Sequence, residues 1–351
     1  MKIHPEAIYA IFAAILFGLA TPIAKLLITD VSPQMLAGLL YAGSGLGLFA
    51  FYGVTRLFKR NSQRHHPIRT SDLPWLAGAI LFGGVLGPVL LMQGLLSTPA
   101  SMASLLLNLE SVITALLAWF IFKEHFDRRI FIGMICIVLG SLLLSWPNKL
   151  NATFPWGSIA IAGACFCWGI DNNLTRKISG NDALQVACIK GLVAGFVNLG
   201  IALSLGYKLP NFLVGLSAAS IGLLGYGISL VLFVISLRHI GAARTGAYFS
   251  TAPFAGVICS FLFLHEQPNA LFWVATILML IGVWLHLSEH HAHLHQYEEL
   301  HHQHTHKHDE HHQHKHDFDW DGREPHTHPH HHAPLNHSHQ HFPDLHHQHK
   351  H

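Results

Sequence analysis

Histidine recurs at every second position through much of the last sixty residues of the chain. The His-x-His runs comprise His291, His293, His295, His302, His304, His306, His308, His312, His314, His316, His326, His328, His330, His337, His339, His341, His347, His349 and His351. An extended chain places residues i and i+2 on one side, so each pair can offer two imidazoles to one ion. Neutral imidazole suits divalent zinc, nickel and cobalt. The pattern predicts that this segment binds such a metal, without encoding which one.

The segment 289–351 also differs from the rest of the chain in composition. It holds 25 of the 32 histidines, ten acidic residues and four basic residues. A chain with so little apolar surface to bury does not fold by burial, so we expect a disordered tail in the absence of metal. An expression tag is usually an unbroken run of histidines, whereas here Gln, Asp, Lys, Thr and Pro are interspersed. Apart from metal on this tail, we expect no cofactor to be required.

Three ionisable residues interrupt apolar stretches of the preceding sequence. Glu110 lies at the centre of one stretch, Asp171 lies late in another, and Lys190 lies in the stretch that follows. A charge at mid-membrane costs about 2.5–3.5 kcal/mol on insertion scales and is a functional candidate by default. Asp171 and Lys190 lie at similar depth, so they form either a structural pair or a functional one. Glu110 has no obvious basic neighbour, which suits proton coupling or cation binding.

Small and polar residues accompany these charges. Ser104, Asn108 and Ser111 fall at helical spacing on one face, which either packs against another helix or lines a water-filled path. Shifting the sequence by 142 residues aligns the last two of them with Ser250 and Pro253. Trp168 and Asn172 flank Asp171 and would extend a polar cavity, although aromatic packing accounts equally for the tryptophan. We take these residues, with the three charges, as the candidate substrate cavity.

The composition of residues 1–288 is that of a membrane protein. The whole chain is 51% hydrophobic and 11% charged, whereas soluble proteins carry about 25% charged residues. Residues 1–288 contain only 17 Lys and Arg and nine Asp and Glu, which excludes a nucleic-acid partner and an ordinary soluble enzyme. No H-E-x-x-H, G-x-S-x-G or phosphate-loop motif occurs, so we predict no enzymatic activity.

Ten apolar runs have the length that a bilayer requires. They are Pro5–Ile28, Pro33–Leu57, Pro74–Ser97, Pro99–Phe122, Ile130–Trp146, Trp156–Leu174, Ala183–Leu205, Phe212–Leu237, Ala242–Leu264 and Asn269–Leu287. If the N-terminus is cytoplasmic, 13 basic residues fall in cytoplasmic segments and three fall on the other side. The positive-inside rule therefore predicts a multi-pass protein of the inner (plasma) membrane with both termini in the cytoplasm.

The apolar part of the chain repeats itself. A shift of 142 residues overlays the third to fifth runs on the eighth to tenth, and it places Glu124 on Glu266. Each half, 5–146 and 155–287, has five runs, and an odd number requires the halves to insert in opposite orientations. Inverted repeats are typical of transporters whose substrate path lies at the repeat interface. We predict an all-α integral membrane fold of ten helices in two inverted five-helix repeats.

These residues resemble the drug/metabolite transporter superfamily and its EamA-type repeat. The resemblance rests on 100–144, with Glu124 and Gly140, and on 242–287, with Pro253, Glu266 and Gly282. It implies a central cavity that moves small solutes, and it places the two glutamates at helix ends as caps or gate contacts. The family usually has proline in the middle of both the fourth and ninth spans, but Ser111 stands where the first would be.

Three functions remain open on this evidence. The first is a gradient-driven secondary transporter, an exporter, that is linked to nickel, cobalt or zinc through its tail. The second is a transporter of amino acids or other organic metabolites whose tail buffers or senses metal. The third is a membrane-tethered metal-storage protein, against which ten spans argue. The expected partners are the lipid bilayer and a small-molecule or metal-ion substrate, with homodimerisation left open.

Overall fold

The computed structural model describes most of residues 5–287 and four short stretches of the tail. The described residues are 5–58, 68–122, 128–146, 154–179, 181–287, 292–297, 300–306, 326–332 and 335–340. The chain forms two compact units. The first comprises residues 1–289 and 343–351, and the second comprises residues 290–342.

The first unit is helical. Its α-helices, α1 to α13, are Pro5–Leu27, Pro33–Phe58, Leu73–Ala79, Gly87–Ser97, Ala100–Leu106, Leu109–Phe122, Arg128–Ser145, Trp156–Ile178, Ala183–Ser204, Phe212–Ile221, Ser229–Phe249, Ala252–Leu264 and Ala270–Leu287. A short 3₁₀ turn, Thr70–Asp72, precedes α3. Two π-helical turns, Ile80–Leu86 and Gly222–Ile228, join α3 to α4 and α10 to α11.

Eight helical segments of the described chain are long and apolar enough to cross a bilayer. They are Ala7–Leu27, Pro33–Val54, Thr70–Ser97, Ala100–Ile121, Arg128–Ser145, Ala183–Ser204, Phe212–Leu237 and Ala270–Leu287. The sixth expected span is α8, which carries Asp171 and two basic residues in its last turn. The ninth expected span is divided between the end of α11 and the 13-residue α12. The predicted all-α membrane fold is confirmed.

Large apolar side chains face outwards along these helices. Phe120 is 71% exposed and Phe212 is 80% exposed, and many other Leu, Ile, Phe and Trp side chains are exposed in the same way. A soluble protein would not present so much contiguous apolar surface, but hydrocarbon lipid covers such a surface without cost.

The two halves repeat at the level of the backbone. The π-helical turns Ile80–Leu86 and Gly222–Ile228 are 142 residues apart at both ends. The α5–α6 and α11–α12 helix pairs are interrupted at Leu107–Asn108 and at Ser250–Thr251. Asn108 and Ser250 are themselves 142 residues apart, so the two interruptions coincide under the repeat shift to within one residue.

Contacts between the halves follow the same symmetry. Helices α7 and α13 pack so closely that a Cβ atom on Gly133 would lie 2.8 Å from the carbonyl oxygen of Gly282. A Cβ atom on Gly140 would lie 3.1 Å from the carbonyl oxygen of Ala275. Since the 142-residue shift relates Gly133 to Ala275 and Gly140 to Gly282, these are one contact made twice. Such reciprocal contacts are the mark of a two-fold arrangement.

The described parts of the tail are extended. Strand β1, Ala292–Tyr297, pairs antiparallel with β4, Leu335–Gln340, and β2, Leu300–His306, pairs antiparallel with β3, His326–His332. These four stretches differ from the expectation of a tail without secondary structure. The alternation that puts histidine at every second position is also the period of a β-strand, which explains the difference.

Candidate functional site

A cavity lies where the fourth and ninth spans are interrupted. It has a volume of about 170 Å³, and residues of both repeats line it, among them Asn108, Glu110, Ser111, Asn172, Ser250 and Pro253. An adjoining cavity of about 60 Å³ is lined by Trp168, Asp171 and Lys190 and shares Glu110 and Asn172 with the first. The structure thus brings together nine of the ten residues predicted for the substrate cavity.

Ser104 is the exception. The sequence placed Ser104, Asn108 and Ser111 on one face of a continuous helix, but the helix is interrupted at Leu107–Asn108. Ser104 is buried in α5 and lines neither of these cavities. Local side-chain bonds favour the interruption, since Asn108 Nδ2 donates to Leu105 O at 3.1 Å and Ser111 Oγ donates to Asn108 O at 2.8 Å.

Glu110 owes its position to this interruption. It lies in the first turn of α6, where the positive end of the helix dipole favours a carboxylate. Asn172 Nδ2 donates to Glu110 Oε1 at 2.8 Å and to Thr114 Oγ1 at 3.2 Å. The carboxyl group therefore has helix and amide partners, and within the described residues it forms no salt bridge.

Asp171 and Lys190 form a buried ion pair. Lys190 Nζ donates to both carboxylate oxygens of Asp171, at 2.6 and 2.7 Å, and the two side chains are 2% and 9% exposed. Thr175 Oγ1 donates to Asp171 Oδ1 at 2.9 Å. Lys190 also lines the smaller cavity with Glu110, which corrects the expectation that Glu110 has no basic neighbour. The pairing that the sequence allowed is present, and its role stays a prediction.

The π-helical turn of the first repeat supplies acceptors to this region. Gly83 O accepts from Tyr41 OH at 2.6 Å and from Trp168 Nε1 at 3.0 Å. Trp168 is thus oriented by a hydrogen bond and also packs edge-on against Phe17, with ring centroids 5.7 Å apart. The widened turn leaves a backbone carbonyl available to side chains of neighbouring helices.

The opposite repeat contributes Ser250 and Pro253. Ser250 Oγ donates to Gly246 O at 2.9 Å, which resembles the local bonding at Ser111. Pro253 lies at the start of α12, where a proline lacks no helical hydrogen bond. The helix that follows the interruption in the ninth span therefore has a proline in its first turn, whereas the helix that follows the interruption in the fourth span has Glu110 there.

At one end of the bundle, charged side chains cap helix ends. Glu266 accepts from the backbone N–H groups of Ala100 and Ser101 at 2.7 and 2.9 Å, and from Ser101 Oγ at 2.5 Å. Lys25 Nζ donates to the carbonyl oxygens of Leu95 and Thr98, the latter at 3.1 Å. An anion at the start of α5 and a cation at the end of α4 match the two helix dipoles. The repeat partner Glu124 lies outside the described residues.

The chain reaches Glu266 through an unusual backbone. The residue after helix α12 is its C-cap, His265, whose φ of 51° and ψ of 33° are left-handed. Glycine usually occupies such a position, because a Cβ atom there crowds the backbone. The left-handed residue turns the chain directly after the helix and allows the next side chain to cap α5.

The histidines predicted to bind metal divide into two groups. His291, His308, His312, His314, His316, His341, His347, His349 and His351 lie outside the described residues. The others fall in β1 to β4, where the backbone register pairs His302 with His330, His304 with His328 and His306 with His326. Among the residues that the structure describes, no group of three or more His, Cys, Asp or Glu side chains is placed to hold a metal ion.

The sequence did not single out several residues that line the cavities. Tyr41 and Tyr226 line the smaller cavity, and Thr114, Arg176 and Phe17 line the larger. The aromatic residues stand in apolar runs, where nothing distinguishes them from packing residues. Thr114 follows Glu110 by four residues, one helical turn, which is the signal that could have found it.

Apolar helices that repeat at a shift of 142 residues and line a shared cavity are typical of helical membrane transporters. The chain matches the EamA-like transporter family over residues 4–146 and again over residues 155–288. It belongs to this family, within the drug/metabolite transporter superfamily.

Relatives agree with this assignment. A protein of Methanothermobacter thermautotrophicus described as an uncharacterized transporter is 30% identical over 292 residues, which cover 78% of this chain and 84% of that protein. A probable terminal-alkyne amino-acid exporter of Streptantibioticus cattleyicolor is 25% identical, over 62% of this chain and 74% of that protein. A solved crystal structure with 17% identity matches the fold with a TM-score of 0.59, over 80% of this chain and 94% of the solved one.

Proposed function

We propose that this protein is a secondary active transporter that exports a small organic solute in exchange for protons. The observation that carries the proposal is the cavity itself, which both repeats line at their interrupted spans and in which Glu110 forms no ion pair among the described residues. A carboxyl group in this position can hold either a proton or a cationic group of the solute. Since the two occupants compete for one site, loading one releases the other, and a proton gradient drives the solute.

The contacts at the helix ends capped by Lys25 and Glu266 support an exchange mechanism. The contacts of Lys25 and Glu266 bridge α1, α4, α5 and the segment after α12 at one end. The larger cavity extends towards the other end of the bundle, where Ile130, Arg176 and His286 line it near the ends of α7, α8 and α13. Opening one end while closing the other would expose Glu110 to each side in turn.

Transport in liposomes tests this function. The purified protein would be assayed with a panel of amino acids and with nickel, cobalt and zinc, with and without an imposed pH gradient. We expect an organic solute to accumulate against its gradient when the pH gradient is imposed. Accumulation that ignores the pH gradient would contradict proton exchange, and accumulation of metal alone would contradict the organic solute.

A second candidate function is a link to divalent transition metals through the tail. It is supported by the nineteen histidines in His-x-His runs and by the register that sets histidine opposite histidine in β2 and β3. In this proposal the tail buffers or senses metal, or accompanies metal export. The full chain and the 1–288 truncation would be titrated with zinc, nickel and cobalt by calorimetry at two pH values.

Protons compete with metal for imidazole nitrogen, whose ordinary pKa is about 6.5. We therefore expect several ions to bind the full chain near neutral pH, few at about pH 5, and few to the truncated chain at either pH. Equal binding by the two chains would remove the link between the tail and metal.

The orientation also belongs to the proposal. We place both termini in the cytoplasm of the inner membrane, because basic residues gather in alternate loops. Reporter fusions at Arg64, which lies outside the described residues, and at His351 should both be cytoplasmic. An external signal at either position would contradict this topology.

A further inference from the structure

The polar side chains that line the cavity have an unequal balance of donors and acceptors. Asn108 Nδ2 donates to Leu105 O at 3.1 Å, and Asn173 Nδ2 donates to Gly169 O at 2.8 Å and to Thr114 O at 3.1 Å. Backbone carbonyls only accept, so these bonds fix which end of each amide is the NH₂ group. The amide oxygens are left for other partners.

Most N–H groups of the remaining nitrogen donors are also occupied, although Lys190, which has three, directs two of them to Asp171. Asn172 Nδ2 donates to Glu110 Oε1 and Thr114 Oγ1, and Lys190 Nζ is held by both oxygens of Asp171. Trp168 Nε1 donates to a backbone carbonyl, as described above. Arg176, at the outer part of the larger cavity, has an interaction of its own.

Several buried oxygen atoms, by contrast, have no hydrogen-bond partner. Asn108 Oδ1 is buried without a hydrogen-bond partner, in a side chain that is 1% exposed. Glu110 has a second carboxylate oxygen, and the hydroxyl of Tyr226, also buried without a partner, lies in the smaller cavity. Buried acceptors without partners are costly, and a ligand that donates hydrogen bonds removes that cost.

Charge and aromatic rings favour a cation in the smaller cavity, which shares Glu110 with the cavity that Asn108 lines. The charged residues of the smaller cavity are Glu110, Asp171 and Lys190, which sum to −1 when Glu110 is ionised. Phe17 lies in both cavities, with its ring centroid 5.7 Å from those of Trp168 and Tyr226. Aromatic faces beside a carboxylate are the usual surroundings of an organic cation.

We infer that the solute carried in this cavity bears a protonated primary amine, which donates to Glu110 and Asn108 Oδ1 while the aromatic rings cover its carbon skeleton. This inference rests on the proposed transport function and specifies its substrate class. A quaternary ammonium would satisfy the charge but would leave Asn108 Oδ1 unpaired. A carboxylate or phosphate solute beside Glu110 would meet its negative charge.

Four probes with one ring separate these chemistries. They are 2-phenylethylammonium, its N,N,N-trimethyl derivative, 2-phenylethanol and 3-phenylpropionate, each tested on the purified full chain by calorimetry and by counterflow in liposomes. We expect the primary ammonium to bind about tenfold more tightly than the trimethyl derivative, as one hydrogen bond to a charged group predicts, and the alcohol and carboxylate to bind least.

Variants locate the effect. Asn108→Leu should remove the preference for the primary over the trimethyl ammonium, and Asn108→Asp, which keeps an acceptor, should retain it. Asn198→Leu is the matched control, because Asn198 is an equally buried amide whose Oδ1 already accepts from Gln34 Nε2 at 3.0 Å. Thermal unfolding of each variant in detergent shows which ones fold.

The possible outcomes distinguish failure of the amine inference from failure of the proposed transport function. Preferred counterflow of the alcohol or the carboxylate would overturn the amine while leaving a transporter. Equal affinity for the primary and trimethyl probes would overturn the hydrogen-bond requirement. Failure of all four probes, with pH-driven transport of some other solute, would overturn the substrate class alone. Absence of any transport in the amino-acid and metal panel would overturn the proposed function as well.

Discussion

Two charged groups line the same small cavity, and they differ in how the protein satisfies them. One is the Asp171–Lys190 pair, and the other is Glu110. Asp171 and Lys190 neutralise each other at 2.6 and 2.7 Å, with Thr175 as a further donor. Glu110 has a helix end and one amide, Asn172. A charge with every partner supplied by the protein has little reason to exchange them. A carboxyl that keeps an oxygen for other partners can take a proton or a solute, so we expect the pair to be structural and Glu110 to exchange its partners.

The largest effect should come from breaking the pair. Asp171→Asn and Lys190→Met each leave a buried charge without its partner, which costs about 3–5 kcal/mol of folding free energy. The double variant leaves no charge and should be more stable than either single variant. Unfolding of the three proteins in detergent measures this, and additive losses would contradict a structural pair.

Glu110→Gln should affect transport rather than folding. Removing the charge takes away a charge-assisted bond to the solute of about 1.5–3 kcal/mol, which is roughly a tenfold to hundredfold loss of solute affinity. Coupling to protons should disappear completely, because glutamine does not titrate. Liposome assays with and without a pH gradient measure both effects, with Gly200→Ala, which lies outside both cavities, as the control. A coupled rate equal to that of the unaltered protein would make Glu110 a packing residue.

Gly83→Ala should disturb the pair and leave Glu110 in place. A Cβ atom on Gly83 would overlap with the carboxylate of Asp171, and overpacking of this kind costs about 1–3 kcal/mol. Gly200→Ala is the matched control, since a Cβ atom there meets nothing within 4 Å. The control should be neutral or slightly stabilising in thermal unfolding. Equal stability of the two alanine variants would contradict the close approach at Gly83.

Asn172→Ala should have the smallest effect. It removes the amide that donates to Glu110 Oε1, a bond worth about 1 kcal/mol net, and leaves the carboxyl at its helix end. We expect the pH at which half-maximal transport occurs to shift upwards, because a donor that stabilises the ionised carboxyl is lost. A pH profile of liposome transport shows the shift, and an unchanged profile would mean that Asn172 does not tune Glu110.

The sequence predicts the spans and their repetition because both depend on patterns that a bilayer imposes over about twenty residues. Asp171, Lys190 and Glu110 stand out for the same reason, as charges in apolar runs. The interruption at Leu107–Asn108 was not predicted, since Asn108 and Ser111 also fit a continuous helix and only their bonds to the backbone decide. Tyr41 and Tyr226 could not be distinguished from packing aromatics, because their role depends on which helices meet.

The π-helical turns have a consequence for how well the chain tolerates the deletion of a single residue. A turn with i to i+5 bonds holds one residue more than an α-helical turn, and both copies hold it at positions 142 residues apart. The extra residue therefore occupies equivalent positions in the two repeats. Loss of a single codon within 80–86 would restore an ordinary helix and rotate everything up to the next loop by about 100°. In-frame deletions of one codon should be tolerated less well in these two turns than in the α-helical segments that precede them.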